Sequence, residues 1–340
     1  MIVKSKAPFR LGLAGGGTDV SPYSDKYGGA VFNATVNLYA YATIIPKNDG
    51  KITLNAKNNK IETLKAEEQL EITGHLDLQK GIYNRIVKDY TKKPLSFELI
   101  TEMDVPSGSG LGTSSTLVVS ILGAFLTWLD IPLTTHEIAR LAYQIEREDL
   151  QMAGGKQDQY AASFGGINLI EFQGQNVTVN PVNIPQNRIK SLEKSILLYY
   201  TKTSRKSAKI IEIQADNVIR KLEKPIQAMH FLKKQAYQLE AALKGGDLHE
   251  IGAILDKGWE HKKQMAIGIS NPTIDEIYST ALMAGAYGGK ISGAGGGGFM
   301  LFYVDENHRD SVIKALAKFD GNFRDFHFEK NGLTTWIENA

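Results

Sequence analysis

The glycine-rich stretch at residues 105–116, VPSGSGLGTSST, has the residue types of an anion-binding loop. Gly108, Gly110 and Gly112 alternate with small residues, so the backbone can adopt positive φ values and let a ligand approach closely. Residues 113–115 are Thr-Ser-Ser and suit N-cap positions ahead of an apolar segment that is long enough for a helix. Free N–H groups at the positive end of a helix dipole favour phosphate. The stretch is therefore a candidate nucleotide-phosphate site.

Two better-known phosphate loops do not fit this stretch. A Walker A loop that began at Gly108 would need a second glycine at Thr113 and a lysine after it, and neither is present. A dinucleotide fingerprint that began at Gly108 would also need glycine at Thr113. A simple glycine-rich turn before a buried helix stays the alternative interpretation.

Carboxylates at three other places could hold a metal ion or orient a hydroxyl group. Asp19 follows the glycines at residues 15–17. Glu146 and its rival Asp149 lie at the edge of a helical apolar stripe, where a carboxylate needs a cation, a metal or a cap. Asp158 lies between two glycine pairs. The alternatives are an Asx turn for Asp19, a solvated helix edge for Glu146 or Asp149, and an N-cap for Asp158.

The second half of the chain contains another glycine-rich stretch, GGKISGAGGGGFMLFYV at residues 288–304. Gly293, Gly295 and Gly298 match the pattern GxGxxG, but a strand-like run follows them where a dinucleotide site needs a helix. The pattern therefore predicts a strand–turn–strand hairpin whose backbone lies against a ligand or another element.

The composition excludes several classes of protein. The chain has 340 residues, which favours two domains, and a net charge of +2, which gives no argument for nucleic acid or membrane binding. Because cysteine is absent, disulfides, thiolate catalysis and zinc–sulfur sites are excluded. The histidines are scattered without metal-binding spacing. The longest apolar run, residues 117–129, is too short to span a bilayer, and the N-terminus lacks a signal-peptide core. We expect a cytoplasmic enzyme.

The patterns in the chain predict an α+β fold in which a sheet-rich first half carries the loop. Strand-like runs occupy residues 2–13, 30–46, 52–56 and 95–100. Thr134 and Glu137 form a capping box for a second helix after the loop. A polar, proline-containing segment at about residues 181–187 is a domain boundary candidate. Helical patterns follow at roughly residues 206–223, 225–244, 247–265, 272–287 and 306–318.

Three motifs resemble, in this order, those of the GHMP kinases, the family of galactokinase, homoserine kinase, mevalonate kinase and phosphomevalonate kinase. They are APFRLGLAGGGTD at residues 7–19, PSGSGLGTSS at residues 106–115 and KISGAGGGG at residues 290–298. Phe9 replaces the family's usual glycine and Thr113 its first serine, which removes no needed functional group. The resemblance implies two domains with the active site between them. The first, residues 1–185, would be a ribosomal-protein-S5-like ATP-binding domain, and the second, residues 186–340, ferredoxin-like.

The resemblance also implies a role for each candidate residue. Arg10 would stabilise the transferring phosphoryl group, and Asp158 would activate or orient the attacking hydroxyl. Ser114 and Glu146 would hold Mg²⁺. The residues expected to bind ATP are Pro106, Gly108, Ser109, Gly110, Leu111, Gly112, Thr113, Ser114 and Ser115. The residues expected to contact the substrate are Gly17, Thr18, Asp19, Arg205, Gly293, Gly295 and Gly296.

Within the family, the motifs AGGGTDVSPYSDKYGG and GGKQDQYAASFGG are most similar to kinases of D-glycero-D-manno-heptose 7-phosphate. Such an enzyme uses ATP and Mg²⁺ to phosphorylate the anomeric C1 hydroxyl of a sugar phosphate. A phosphorylated sugar needs a second anion site, for which we expect Arg205 with Ser204 and Ser207, or Lys156. A solvated charge cluster is the alternative interpretation of that turn.

Other functions stay open at this point. A kinase of an unphosphorylated sugar, such as L-fucose or galactose, would have a similar opening motif but would not need the Arg205 cluster. A non-catalytic sugar- or ATP-binding member and a decarboxylase of the same fold are further alternatives. The partners expected are the sugar phosphate and ATP, without nucleic acid or membrane, and a homodimer is left open.

Overall fold

Two β-sheets organise the chain in the computed structural model, which describes residues 1–57, 60–203 and 207–339. The strands are β1 (Ile2–Ala14), β2 (Gly29–Pro46), β3 (Lys51–Ala56), β4 (Lys60–Lys65), β5 (Phe97–Met103), β6 (Ile167–Gln173), β7 (Asn176–Pro181), β8 (Ile196–Tyr200), β9 (Gly288–Ile291), β10 (Phe299–Tyr303), β11 (Asn322–Phe323) and β12 (Thr334–Glu338). The helices are α1 (Tyr23–Tyr27), α2 (Asp77–Ile86), α3 (Thr113–Trp128), α4 (Thr135–Gln144), α5 (Gln157–Phe164), α6 (Gln186–Ser195), α7 (Ser207–Ile219), α8 (Glu223–Lys244), α9 (Glu250–Lys263), α10 (Pro272–Met283) and α11 (Arg309–Leu316). Short π-helical turns, Val87–Thr91 and Ile145–Asp149, extend α2 and α4.

The first sheet has the order β12-β1-β2-β5-β3-β4, and β6 and β7 continue it beside β2. The long strand β2 pairs with β1 along one edge and with β5 and β6 in turn along the other. All strand pairings in this first sheet are antiparallel except that of β3 with β5, which is parallel. A single long strand therefore connects β5, which leads into the glycine-rich loop at residues 105–116, to β6, which follows α5.

Burial along β1 shows how helices cover this sheet. Residues alternate between partly exposed and buried at the start of the strand and are continuously buried from Ala7 onward. Helices α3 and α5 pack on β1, and so do α8 and α9 from the second half of the chain. Because both faces of the strand are covered there, the sequence changes from an alternating to a mostly apolar run.

The second sheet is smaller and fully antiparallel, in the order β11-β8-β10-β9. Helix α9 packs on β9 and β10, and α10 on β9. The hairpin of β9 and β10 confirms the strand–turn–strand prediction for residues 288–304, since the strands pair on both sides of the glycine turn.

The largest hydrophobic core contains residues from both halves of the chain. Ala236, Leu239 and Leu243 of α8 are buried in the same cluster as Phe9 of β1 and Leu38 of β2. The last strand, β12, returns to the first sheet and pairs with β1. The division at residue 185 stays a prediction, and residues beyond it complete the first sheet.

Most of the predicted helices lie close to their predicted ranges. The capping box of Thr134 and Glu137 is present at the start of α4, and Asn271 caps α10. Helix α6 begins at Gln186, at the end of the polar segment of residues 181–187 that the sequence offered as a boundary. Only Leu192 of its residues is buried, so its helical pattern is weak. No helix in the described ranges is both long and apolar enough to cross a membrane.

The shared core predicts that the two halves unfold together. Replacing Leu239 with alanine removes buried methyl groups between α8 and the first sheet and should lower the free energy of unfolding by about 2–5 kcal/mol. Urea unfolding followed by circular dichroism and by fluorescence should give coincident transitions, since Trp128 packs on the first core and Trp259 is buried in the second.

The exposed neighbour Gln238 provides the control, because its replacement with alanine should change stability by less than about 0.5 kcal/mol. Two separated transitions in the wild-type protein would contradict the shared core.

Candidate active site

The two glycine-rich stretches meet backbone to backbone. A Cβ on Gly110 would lie 2.5 Å from the carbonyl oxygen of Ser292, and one on Gly293 would lie 2.8 Å from the Cα of Gly110. Both glycines have positive φ, 84° and 76°. The backbone N–H of Phe299 also donates to the carbonyl oxygen of Ser109 at 2.8 Å. The loop from the first half and the turn from the second half thus form one continuous surface.

Helix α3 begins at Thr113, within the glycine-rich stretch of residues 105–116, which we call the phosphate loop. Its N-cap is Gly112, in the left-handed conformation, and no side chain caps the first turn within the described chain. Thr113, Ser114 and Ser115 therefore lie in the first turn and not at the N-cap as their types suggested, because the loop reaches the helix through a positive φ that glycine adopts readily. The uncapped N–H groups suit an anion.

Arg10 connects the glycine stretches to Asp158. Its guanidinium donates to Oδ1 of Asp158 from Nε at 2.7 Å and from Nη2 at 2.6 Å. Its Nη1 donates to the carbonyl oxygen of Gly110 at 2.7 Å and to Oγ of Ser292 at 3.3 Å. Arg10 is buried, whereas Asp158 keeps about a quarter of its side chain exposed, 23%. This geometry holds a carboxylate beside a fixed cation at the edge of the phosphate loop.

Glu146 lies behind the first turn of α3. Its Oε1 accepts a hydrogen bond from Oγ of Ser114 at 2.8 Å, and its Oε2 accepts one from Nε2 of Gln159 at 2.6 Å. Arg147 approaches Oε1 of Glu146 at 3.7 Å. The carboxylate is fully buried, so these polar partners compensate part of its lost hydration.

The π-helical turn Ile145–Asp149 decides which carboxylate faces the site. It directs Glu146 inward, whereas Asp149 lies on the outer side and pairs with Arg85 at 2.8 Å. Single π-turns inside helices are often found at functional sites. The pair of Ser114 and Glu146 offers one carboxylate and one hydroxyl oxygen, and Mg²⁺ commonly takes such few protein ligands together with water and phosphate oxygens. The residues present therefore fit a magnesium ion that nucleotide phosphates help to hold.

Asp19 is a buried carboxylate that lines the same small cavity as Asp158. Its carboxylate accepts hydrogen bonds from the backbone N–H groups of Gly17 at 3.1 Å and Gln157 at 3.2 Å, and from Nε2 of Gln157 at 3.0 Å. A Cβ on Gly155 would lie 1.9 Å from Oδ2 of Asp19. The hydroxyl of Thr18 donates to the carbonyl oxygens of Gly15 and Ala30, so it holds the loop together.

The remaining predicted contacts lie around these groups. Gly295 and Gly296 pack on the backbone of Ile269, and the N–H of Gly296 donates to its carbonyl oxygen at 2.8 Å. Ser109 and Leu111 are buried in the loop, and Ser115 faces inward, where its Oγ accepts from Gln159 at 3.0 Å. Pro106 stays at the exposed start of the loop.

The structure describes two of the four residues expected at the second anion site, Ser207 and Lys156. Arg205 and Ser204 lie outside the described residues, and Ser207 is the first residue of α7. Lys156 is buried and donates to Oδ1 of Asp25 at 3.0 Å and to the carbonyl oxygen of Gly174 at 2.6 Å. Its ammonium therefore already has protein partners.

Two features of the site were not predicted from the sequence. Lys262 and Gln214, from α9 and α7, line a small cavity together with Arg10, Asp19 and Asp158. Burial lowers the pKa of Lys262 to about 8, and Asp19 opposes this shift. A lysine in the run HKK gives no sign of burial, because the contact arises only when α9 packs on β1.

The other missed feature is a cavity of ≈ 710 Å³ beside the phosphate loop. It lies between α2 and the end of β5, and its walls include Leu76, Met103, Val105 and Pro106. A mostly apolar cleft of this size suits a nucleoside or another small ligand. Its residues come from several strands, helices and loops that are far apart in the chain, so no sequence pattern indicated it.

Comparisons with known proteins give matches in both halves of the chain. Residues 77–166 match the family described as GHMP kinases N terminal domain, and residues 239–322 match GHMP kinases C terminal. The chain is 48% identical over 336 residues to D-glycero-alpha-D-manno-heptose 7-phosphate kinase of Campylobacter jejuni, with 98% of each chain covered.

Two further comparisons bear on the choice of sugar. The crystal structure of a D-glycero-D-manno-heptose 1-phosphate kinase from Bacteroides thetaiotaomicron has 44% identity and a TM-score of 0.84, covering 99% of this chain and 100% of that one. An L-fucokinase/L-fucose-1-P guanylyltransferase of Bacteroides fragilis is 26% identical and covers 90% of this chain but 35% of its own length.

The contact between the glycine stretches predicts a sensitive position. Replacing Gly293 with alanine adds a Cβ against the backbone of Gly110 and strains a positive φ, so we expect the two loops to separate. Since small displacements of reacting groups are costly, kcat should fall about 100-fold in an assay of ADP release.

The matched control is Gly174, which also has positive φ but has open space around its Cβ position. Its replacement with alanine should strain the backbone without changing kcat. Equal losses in both variants would show that strain and not loop contact is responsible.

Proposed function

Because this chain belongs to the GHMP kinase family, we propose that it phosphorylates the anomeric C1 hydroxyl of D-glycero-D-manno-heptose 7-phosphate with ATP. The product would be the 1,7-bisphosphate, a precursor for nucleotide-activated heptose. The observation that carries the proposal is the 48% identity, over nearly the whole of both chains, to a heptose 7-phosphate kinase. The heptose 1-phosphate kinase structure, at 44% identity, supports the same sugar class.

ATP would bind along the phosphate loop. Backbone N–H groups of residues 108–115 and the uncapped start of α3 would contact the phosphates. The ≈ 710 Å³ cavity adjoins this loop at Pro106 and Ser107 and would hold the adenosine. Lysine is absent from the loop itself, so positive charge comes from Arg10 and from the metal.

Mg²⁺ would lie between Ser114 and Glu146, where it would neutralise charge on the β- and γ-phosphates. The hydrogen bond between these two side chains already brings a hydroxyl and a carboxylate oxygen within 2.8 Å of each other. Gln159 fixes the second carboxylate oxygen and so keeps the first one directed at the phosphate loop.

Asp158 and Arg10 would act on the reacting groups themselves. Asp158 would accept the hydrogen bond of the sugar C1 hydroxyl and so orient the attacking oxygen toward the γ-phosphorus. Arg10, fixed by Asp158 and by the carbonyl oxygen of Gly110, would place positive charge where the transferring phosphoryl group passes. Phosphoryl transfer depends mainly on such positioning and charge neutralisation.

The sugar would bind beside Asp158 on the Asp19 side. Asp19 is held by the N–H groups of Gly17 and Gln157, which leaves its carboxylate ready to accept from sugar hydroxyls. Arg205 remains our candidate for the 7-phosphate. A cytoplasmic location, which the composition led us to expect, and a homodimer are further proposals.

A kinase of an unphosphorylated sugar is the second candidate, since the fucokinase comparison extends over 90% of this chain. The decisive experiment measures ADP release on heptose 7-phosphates, free heptose, L-fucose and galactose, with ³¹P NMR to locate the new phosphate. We expect turnover on a heptose 7-phosphate and a new signal at C1. Faster turnover on a free sugar would favour the second candidate, and phosphorylation at another carbon would reject the anomeric site.

The proposed role of Asp158 predicts a selective loss. Its replacement with asparagine keeps the shape but removes the carboxylate that would orient the hydroxyl, so kcat should fall about 10²–10⁴-fold. Affinity for ATP, measured by calorimetry, should change little.

Asp149 provides a matched control, because it lies one helical turn from Glu146 on the outer side and pairs with Arg85. Its replacement with asparagine should leave kcat unchanged. If the asparagine variant at Asp158 instead lost ATP binding, Asp158 would have a structural role only.

The proposed metal site predicts a change in magnesium dependence. Replacing Glu146 with glutamine keeps the hydrogen-bonding shape but removes the negative charge, so the Mg²⁺ concentration for half-maximal rate should rise about tenfold or more. Titration of activity with Mg²⁺ at fixed ATP tests this. An unchanged requirement for Mg²⁺ would contradict the assignment of Glu146.

A further inference from the structure

Lys262 is a buried cation with few protein partners. It projects from α9 into the cavity that Arg10 and Asp158 also line. Within the described chain its ammonium makes one hydrogen bond, to the carbonyl oxygen of Gly16 at 3.4 Å. An ammonium group has three donors, and a buried charge without partners is costly. A bound molecule with an acceptor oxygen would compensate more of this charge.

Gln214 presents a second unused donor to the same cavity. It lies on α7, is 1% exposed, and its Nε2 is buried without a hydrogen-bond partner in the described part of the chain. Its Oε1 lies 3.4 Å from the place where a Cβ on Gly17 would stand. Because buried polar groups are nearly always paired, two unused donors beside one cavity indicate a ligand with acceptor oxygens.

Asp19 limits what that ligand can be. Asp19 lies close enough to Lys262 to raise its pKa, whereas the hydrogen bonds that the Asp19 carboxylate accepts in the described chain come from Gly17 and Gln157. A group between them must accept from the ammonium and donate to the carboxylate. A hydroxyl does both, whereas a phosphate dianion would only accept and would be repelled by Asp19.

We propose that Lys262 and Gln214 are specificity-determining contacts that recognise hydroxyl groups of the sugar. One hydroxyl accepts a hydrogen bond from Lys262 and donates one to Asp19, and a neighbouring hydroxyl accepts from Gln214. The inference rests on the proposed function, since it requires a sugar beside Asp158. Helices α7 and α9, from the second half of the chain, then select the sugar by the positions of its hydroxyl groups.

The charge on Lys262 has an energetic signature that a structural lysine would lack. The ammonium is faced by Asp19, Arg10 and the buried Lys290, and burial lowers its pKa to about 8 from 10.5. Since the folded pKa lies below the unfolded one, the charged lysine destabilises the fold below about pH 8. This cost fades as the pH rises from about 8 to 10.5. Replacement with methionine should therefore raise Tm at pH 7.

The test compares Lys262→Met with Lys263→Met in the complete protein. Lys263 lies next on α9 and pairs with Glu260 at 2.7 Å, so it controls for loss of a lysine from this helix. For Lys262→Met we expect KM for heptose 7-phosphate to rise about 10–100-fold, with KM for ATP within about twofold and a higher Tm. The Lys263 variant should keep all three values near wild type.

Monodeoxy analogues of the heptose phosphate identify the contact itself. The analogue that lacks the recognised hydroxyl should lose kcat/KM in the wild type but lose little more in Lys262→Met, because the two changes remove the same interaction. Gln214→Met should show the same non-additivity with a different analogue. The wild-type kcat/KM for the sugar should also decline above about pH 8, and this decline should be absent in Lys262→Met.

The outcomes separate this inference from the proposed function. Wild-type turnover on heptose 7-phosphate with an unchanged sugar KM in Lys262→Met would overturn the inference and leave the proposed function standing. A lower Tm with equal rises in both KM values would show a structural lysine and also overturn it. A wild-type protein with no turnover on any sugar would overturn both.

Discussion

The contact between Gly110 and Gly293 is the constraint on which the site depends. It joins a loop at the start of α3 to the turn between β9 and β10, so groups from both halves of the chain share one frame. Arg10 uses this frame, because its Nη1 donates both to the carbonyl oxygen of Gly110 and to Oγ of Ser292. Its position is therefore set by two loops at once, and Asp158 is in turn held by Arg10. A side chain at either glycine would disturb the whole series of contacts.

The contact between the two glycine-rich loops also brings buried basic side chains together. Arg10, Lys262 and Lys290 bring three buried cations close together, and Lys290 donates to the carbonyl oxygen of Gly12. Burial and the neighbouring cations both lower the pKa of Lys290. Such a concentration of positive charge is unfavourable in the folded protein alone, but it suits a site that must receive the several negative charges of ATP and a sugar phosphate.

Motifs governed by local backbone rules could be read directly from the sequence. The glycines of the two loops, the capping box of Thr134 and Glu137 and the N-cap at Asn271 depend on residues within a few positions of each other. The choice between Glu146 and Asp149 could not be made on periodicity, since a π-helical turn changes the direction of both side chains.

Features created by tertiary packing were not predictable in the same way. Lys262 is buried only because α9 packs on β1, and Gln214 because α7 closes the same cavity. Helix α6 lies on the surface with a single buried residue, so its apolar pattern is too weak to distinguish a helix from a polar connection.

The return of β12 to the edge of β1 has a consequence for synthesis on the ribosome. Ile2 pairs with Glu338, so β1 is synthesised more than three hundred residues before its outer neighbour β12. One face of β1 and β2 likewise waits for α8, which follows nearly two hundred residues after β2 begins. The nascent N-terminal half therefore carries an unpaired strand edge and an uncovered apolar surface, both of which promote association between incomplete chains. In the folded chain β1 and β12 lie side by side, so a short linker between them should allow a circularly permuted variant that begins at another loop.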